Sequence, residues 1–183
     1  KKFPGATIHS FEPIPVNYTN ILRIAKKYKL NNVNLYNHAL GNNNGTIEMI
    51  MPKSTGILFH GLSHVVKGDS SENGITYNAE IKRLDDLGGF LQNPVSAIKL
   101  DVENYEYEVV LGAEKIISRN RPLIYCELWP GENRQKCFEF MLNNKYSAFV
   151  WSKKELVLFE EDTRHQNFFF MPDEQLENLK LKH

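Results

Sequence analysis

Acidic residues end three predicted strands of this chain, and this pattern limits its possible folds more than any other feature. In the clearest case an apolar strand ends in two acids just before a helix, at Ile98-Lys99-Leu100-Asp101-Val102-Glu103. Two further strands lead into Glu12 and Glu127. In open α/β sheets, ligands bind beyond the carboxyl ends of the strands, where side chains and helix N-termini converge. The sequence therefore predicts an α/β fold with one cleft rimmed by carboxylates.

Strand and helix periodicities alternate along the chain. Strands are predicted at residues 7–11, 33–40, 46–51, 75–81, 95–102, 123–126, 148–151, 156–159 and 168–171, and helices after Pro15, near Leu84, after the N-cap candidate Asn104 and around 137–142. Residues 52–78 show no sustained period and are predicted to form a long loop over the site, with room for a short strand. No helix separates the last two strands, so they are expected to be antiparallel neighbours at one edge of the sheet.

Length and composition set broad limits. The 183 residues suffice for one domain with a substantial core, and we interpret residues 1–183 as a single domain. Basic and acidic residues number 22 each and form no long run of like charge, which argues against nucleic-acid binding. The apolar runs are only strand-sized, which argues against a membrane segment. Cys126 and Cys137 are predicted to be reduced core thiols, which fits a cytoplasmic protein.

Several short motifs occur in an order that resembles the FkbM family of S-adenosylmethionine-dependent methyltransferases. They are Phe11-Glu12-Pro13, Ala39-Leu40-Gly41 followed by Gly45, Leu84-Asp85-Asp86-Leu87, the strand-end motif at 98–103, Leu111-Gly112-Ala113, Arg121-Pro122 and Glu127. Each motif is weak alone, but their joint order is specific. The resemblance implies a class I methyltransferase-like Rossmann sheet, mostly parallel with a C-terminal antiparallel hairpin, and S-adenosylmethionine as the cofactor.

The resemblance also implies roles for particular residues. In the family, the acid that ends the second strand holds the ribose hydroxyls of the cofactor, which corresponds to Glu12 with Pro13 beside it. The turn after the third strand lies along the adenine, which corresponds to Ala39 and Leu40. The acid that ends the fourth strand faces the methionine end of the cofactor and the substrate, which corresponds to Asp101.

Two departures from the family pattern stand out. Asn104 replaces a glycine, although Asn can cap a helix or adopt left-handed geometry. The Gly-rich first loop and the first strand should precede Thr7, and no Gly-x-Gly occurs in the sequence. We therefore expect the C-terminal part of a methyltransferase domain that binds the cofactor weakly or not at all by itself, with homo-oligomers possible through exposed sheet edges. The alternative is a complete small domain that has lost cofactor binding.

Other candidate site residues carry open alternatives. Glu127 is expected to bind a substrate hydroxyl or amine, or else a backbone amide. Glu103 is equally compatible with a site role and with a helix N-terminus. His60 and His64 have the spacing of helical metal ligands, but nearby glycines argue against a helix and no metal site is predicted. One of them, for which we choose His64, is a candidate general base in a loop over the cleft.

The resemblance and the site residues together predict a metal-independent O-methyltransferase, and the resemblance implies a hydroxyl of a sugar, a glycan or another small metabolite as the acceptor. A carboxylate beside the sulfonium would stabilise the ground state, so Asp101 is expected to hold the ammonium of the cofactor or the acceptor hydroxyl. Two other classes remain open. One is a nicotinamide-dependent oxidoreductase, because Glu12 would serve a dinucleotide ribose equally well, and the other is a non-catalytic binding module on the same fold.

Overall fold

The computed structural model describes residues 5–54, 57–59, 62–66, 72–89, 93–160 and 164–176. The chain divides into two compact units, Lys1–Lys82 and Arg83–His183. The first contains β1 (Ile8–Phe11), α1 (Pro15–Lys27), β2 (Val33–Tyr36), β3 (Ala39–Leu40), β4 (Gly45–Ser54), β5 (Ile57–Leu58), β6 (His64–Val65) and β7 (Gly74–Lys82). The second contains a 3-10 helix (Leu84–Asp86), β8 (Ala97–Leu100), α2 (Glu106–Gly112), α3 (Glu114–Asn120), β9 (Leu123–Glu127), α4 (Glu132–Asn143), β10 (Tyr146–Ser152), β11 (Glu155–Leu158), β12 (Asn167–Pro172) and α5 (Asp173–Leu176).

The first unit combines a parallel strand pair with a longer mixed sheet. Strands β1 and β2 are parallel and in register from Ile8↔Val33 onward. Strands β4 and β7 form a long antiparallel pair, to which β3 adds in parallel along β7 while β5 and β6 add along β4. Buried side chains of Ile14, Met49, Met51 and Ala79 form a core cluster in this unit. The parallel pair brings the ends of β1 and β2 side by side.

The second unit is built on one five-stranded sheet with the order β11-β10-β12-β9-β8. Strands β8 and β9 are parallel, with Leu100 opposite Cys126, and the other three pairs are antiparallel. Its core includes the fully buried side chains of Ile116, Ile117, Ile124, Leu128, Met141, Phe149, Phe168 and Phe170. Because β8 and β9 run the same way, the residues that follow each strand lie at one edge of the sheet.

Much of the predicted element order is confirmed. The strand before Glu12, the helix that begins at Pro15 and the strand that ends at Glu127 all form. Cys126 and Cys137 are free, buried thiols, as predicted. No helix in the described part of the chain is long and apolar enough to cross a membrane.

The prediction of a mostly parallel sheet is wrong for the described residues. Three of the nine strand pairs that they form are parallel, and the remaining pairs are antiparallel. The reason is that the described residues between β4 and β7 form no α-helix, and consecutive strands without a crossover helix pair antiparallel. The predicted long loop at 52–78 contains β5, β6 and the beginning of β7, while its residues 55–56, 60–61 and 67–71 lie outside the described residues.

Three further expectations are corrected in detail. The strand predicted at 33–40 is broken at Asn37 and His38, which separate β2 from β3. The helix predicted after Asn104 consists of α2 and α3, divided at Ala113. The antiparallel end of the sheet is present, but β10 lies between β11 and β12, because β10 and β11 are joined by a two-residue turn. In the described residues β8 and β11 are the outer strands of this sheet, and assembly through such edges stays a prediction.

Candidate functional site

Glu12 follows β1 directly and is fixed by the start of α1. Its Oε1 accepts a hydrogen bond from the backbone N–H of Ile14 at 2.8 Å, and the Asn17 side chain also donates to the carboxylate. Burial raises the pKa of Glu12, and these two hydrogen bonds oppose that shift. Glu12 therefore holds the turn into α1 and keeps part of its carboxylate at the strand end.

Asn37 joins the loops that follow β1 and β2. Its Nδ2 donates to the carbonyl oxygens of Glu12 at 2.8 Å and of Pro13 at 3.2 Å. The predicted adenine residues Ala39 and Leu40 form the short strand β3 beside β7 and are therefore not part of a turn. Ala39 is buried, which leaves Leu40 as the more accessible of the two. The sequence did not identify Asn37, whose contacts link residues 24 and 25 positions apart.

His38 lies buried beside this strand end, in contact with two aromatic rings. Its ring centroid is 5.3 Å from that of Phe11 and 5.8 Å from that of Tyr36. Burial lowers the pKa of His38, and the nearby Lys82 lowers it further, while Glu80 opposes the shift. The imidazole is therefore mostly neutral near pH 7 and packs against the rings of Phe11 and Tyr36.

In the second unit, Asp101 follows β8 directly and its side chain is exposed. Its Oδ2 lies 2.7 Å from Nζ of Lys99, two residues earlier in the chain, and the side chains are 44% and 60% exposed respectively. Strand β9 runs parallel to β8, so Glu127 lies at the same edge of the sheet as Asp101. The structure thus brings two of the three predicted strand-end acids to one edge, while Glu12 belongs to the other unit.

The backbone after Asp101 adopts an unusual conformation. Glu103 has φ 51° and Asn104 has φ 69°, both in the left-handed region that side chains other than Gly and Asn rarely adopt. Of the two alternatives for Asn104, the left-handed geometry is the one that forms, and Tyr105 is the N-cap residue of α2. Glu103 therefore belongs to a tight turn between β8 and α2.

The buried carboxylate of Glu106 supports this turn, and the sequence analysis missed it. Its Oε1 accepts hydrogen bonds from the backbone N–H groups of Val102 at 3.3 Å and Asn104 at 3.2 Å. A signal was present in the sequence, since the apolar stripe of the following helix extends back to position 106 at helical spacing. Asp85 is similar, because it is buried and accepts the N–H groups of Lys115 and Ile116 at the start of α3.

His64 lies in β6 of the first unit, away in sequence from the acids of the second. Its Nε2 is 2.9 Å from a carboxylate oxygen of Glu72, and its Nδ1 is 3.0 Å from the carbonyl oxygen of Leu62. Both ring nitrogens thus face acceptor atoms, an arrangement that does not favour proton removal from a substrate. His60 lies outside the described residues. In those residues, no group of three or more His, Cys, Asp and Glu side chains is placed to hold a metal ion.

Comparison with known proteins decides the family. The model of the methyltransferase FkbM domain matches residues 1–168. The chain belongs to the FkbM methyltransferase family. The family is one of methyltransferases.

Similarity to a solved structure supports the fold of this FkbM domain. The crystal structure of the methyltransferase FkbM from Methylobacillus flagellatus KT is similar, with a TM-score of 0.54 and 14% sequence identity. The similarity covers 90% of this chain and 36% of the other, so the chain spans about a third of the length of that protein. At this identity the comparison shows a shared α/β fold alone. No curated protein matches the chain.

Proposed function

We propose that the protein is an S-adenosylmethionine-dependent O-methyltransferase that methylates a hydroxyl group of a sugar, a glycan or another small metabolite. The observation that carries the proposal is the match of the FkbM domain over residues 1–168, with acids at the ends of β1 and β8. We propose that the cofactor site is Rossmann-like, as the resemblance to the FkbM family implies. The free, buried thiols of Cys126 and Cys137 support a reducing location, which we propose is the cytoplasm.

The residues at the end of β1 fit the ribose of the cofactor. A carboxylate offers about four acceptor positions, and the hydrogen bonds from Ile14 and Asn17 use only part of them. Glu12 can therefore accept hydrogen bonds from two hydroxyl groups while it still holds the turn into α1. Leu40 offers an apolar side chain to the adenine, and the backbone at Pro13 is fixed by Asn37. When bound, S-adenosylmethionine supplies an activated methyl group.

The residues at the end of β8 and β9 fit the acceptor side of the reaction. Asp101 is exposed and able to hold an ammonium or a hydroxyl group, and Glu127 lies at the same sheet edge. Methyl transfer would form a bond from the acceptor oxygen to the methyl carbon, break the bond from that carbon to sulfur and release S-adenosylhomocysteine. One of these carboxylates would take the proton of the acceptor hydroxyl and pass it to water. We favour Asp101 or Glu127 over His64 for this step, because both nitrogens of His64 face acceptor atoms.

Calorimetry on the full-length protein with S-adenosylmethionine, S-adenosylhomocysteine and NAD tests the proposal. We expect both sulfur ligands to bind and NAD not to bind. Glu12→Gln should weaken both by about 1.5–3 kcal/mol, the usual range for a hydrogen bond to a charged group. Glu139→Gln, at an exposed position on α4, is the matched control and should change nothing.

Each contrary result has a definite meaning. Binding of NAD in place of the sulfur ligands would make the protein an oxidoreductase, and binding of none would make it a non-catalytic module. If Glu12→Gln leaves the dissociation constants unchanged, the ribose does not bind at Glu12.

A further inference from the structure

Glu106 is a buried acidic side chain of the second unit, and the proposed reaction does not use it. It is the first residue of α2 and is only 1% exposed. A buried carboxylate is costly unless hydrogen bonds compensate for the lost water. Both oxygens of the Glu106 carboxylate accept such hydrogen bonds.

One oxygen of Glu106 holds the turn after β8. The N–H groups of Val102 and Asn104, which both donate to Oε1, lie on either side of Glu103. Glu103 and Asn104 are the two residues with left-handed backbone geometry. Such geometry persists only where surrounding contacts determine it, and these two bonds provide that constraint directly after Asp101.

The other oxygen of Glu106 binds α4. Asn133, in the first turn of α4, donates from Nδ2 to Oε2 of Glu106 at 2.5 Å. Its own Oδ1 accepts the N–H of Tyr107 at 3.1 Å. The amide orientation of Asn133 is therefore fixed, because its oxygen and its nitrogen have different partners. Donors and acceptors match only if Glu106 accepts at both oxygens.

Burial raises the pKa of Glu106, and the hydrogen bonds from its own backbone, Val102, Asn133 and Asn104 oppose the shift. The donors all favour the ionised carboxylate, which accepts at both oxygens. All the hydrogen bonds of this network form when position 106 is a carboxylate and position 133 an amide. At least one of them is lost when either side chain is changed alone.

We propose that Glu106, held by Asn133, is a positioning residue that fixes the turn after β8 and thereby presents the carboxylate of Asp101 to the cofactor and the acceptor. The proposal rests on the proposed function of Asp101. It assigns no contact between Glu106 and any ligand. Glu106 acts through the backbone of residues 102–104 alone.

An exchange of the carboxylate and the amide between positions 106 and 133 tests whether this hydrogen-bond network fixes the turn, because the double variant can form matching hydrogen bonds again. In E106Q the amide has only one acceptor oxygen: if this oxygen faces the turn, the amide nitrogen meets Nδ2 of Asn133, and if it faces Asn133, the N–H groups of Val102 and Asn104 lose their acceptor. In E106Q/N133D the carboxylate at position 133 accepts from Tyr107 and from the new amide, so the match is restored. We expect the amides of Val102 and Asn104 to exchange hydrogen at least about tenfold faster in E106Q and to recover in E106Q/N133D.

Turnover separates a positioning role from a purely structural one. With S-adenosylmethionine and an acceptor, E106Q should lower kcat about tenfold or more, and E106Q/N133D should restore it to within about threefold. Asp101→Asn should lower kcat about 100-fold in the native background and much less in E106Q, because the two changes affect one carboxylate. Additive effects of the two changes would overturn the proposal.

The exchange rates distinguish failure of the inference from failure of the proposed function. If the protein binds no S-adenosylmethionine, the proposed function fails, and the amide exchange still reports whether Glu106 holds the turn. If cofactor binding is normal while the amides of Val102 and Asn104 are unaffected by E106Q, the positioning role is overturned. Loss of folding in E106Q without recovery in E106Q/N133D would also overturn it.

Discussion

At the scale of single residues, the proposed site depends on whether the carboxylate of Asp101 pairs with Lys99 or with the ammonium of the cofactor. Lys99 and Asp101 form a close pair, and both side chains are largely exposed. Exposed ion pairs contribute between about 0 and 1 kcal/mol, because solvent screens them. Lys99 is therefore a weak competitor for a carboxylate that we propose binds the ammonium of the cofactor.

Removal of that competitor gives the first prediction. Lys99→Met should strengthen binding of S-adenosylhomocysteine about twofold to fivefold, the range that an exposed pair of about 0.4–1 kcal/mol allows. Lys115→Met, at another exposed position, is the matched control for loss of one positive charge. Unchanged or weaker binding in Lys99→Met, measured by calorimetry, would mean that Asp101 does not hold the ammonium of the cofactor.

The sequence predicted strand-end residues better than their partners. Glu12, Asp101 and Glu127 were identified because each follows an apolar run of strand length, which is a local signal. The apolar stripe of the helix marked position 106, but nothing in the sequence linked Glu106 to Asn133, because the two are 27 positions apart and periodicity carries no information about such pairs. The sequence thus located the residues of the candidate site but not the contacts that hold them.

At the scale of secondary structure, the periodicity of the sequence did not predict the beginning of β7, which depends on a glycine and on pairing with a strand that is distant in sequence. Gly74 begins β7 opposite Pro52, and a Cβ atom there would lie 2.4 Å from the carbonyl oxygen of Met51. Only glycine fits so close to a neighbouring strand, yet glycine weakens the periodicity by which strands are recognised. Pro52 and Gly74 were therefore predicted to lie in a loop, although they form the last pair of the ladder between β4 and β7.

The hairpin of β10 and β11 gives a prediction at this scale. Its last pair is Ser152↔Glu155, so Lys153 and Lys154 alone form the turn, and their φ values are 48° and 71°. Two-residue turns with both residues left-handed favour Asn-Gly, while lysine is strained there. K153N/K154G should raise the free energy of unfolding by about 1–2 kcal/mol, measured by urea denaturation.

A matched variant identifies the cause of that stabilisation. K153Q/K154Q removes the same two charges and leaves the backbone strain in place. We expect its stability to equal that of the native protein. Equal stabilisation by both variants would show that repulsion between the lysines, and not the left-handed backbone, limits the stability of the hairpin.

At the scale of the folded chain, Arg121 connects segments of the second unit that are far apart in sequence. Its guanidinium donates to Glu174 through Nε at 2.7 Å and Nη2 at 2.9 Å, and to the carbonyl oxygens of Asn144 and Lys145. It also lies over the ring of Tyr146, 4.5 Å from its centroid. In the sequence Arg121 stood out only as part of the motif Arg121-Pro122, whereas the structure shows that it connects α5 to the residues before β10.

The pH dependence of stability tests this connection. The hydrogen bonds from Arg121 lower the pKa of Glu174 to about 2 from an ordinary value of 4.5. A lowered pKa in the folded state means that the pair stabilises the protein above about pH 4.5 and loses this contribution as the pH falls toward 2. Glu174→Gln should therefore lower stability at pH 6 by up to about 1 kcal/mol, since Glu174 is exposed, and have little effect at pH 2. Urea unfolding of both proteins at pH 6, 3.5 and 2, with Glu139→Gln as the control for an exposed acid, measures the difference. An effect of Glu174→Gln that is the same at pH 6 and pH 2 would mean that the charge of Glu174 does not hold α5 in place.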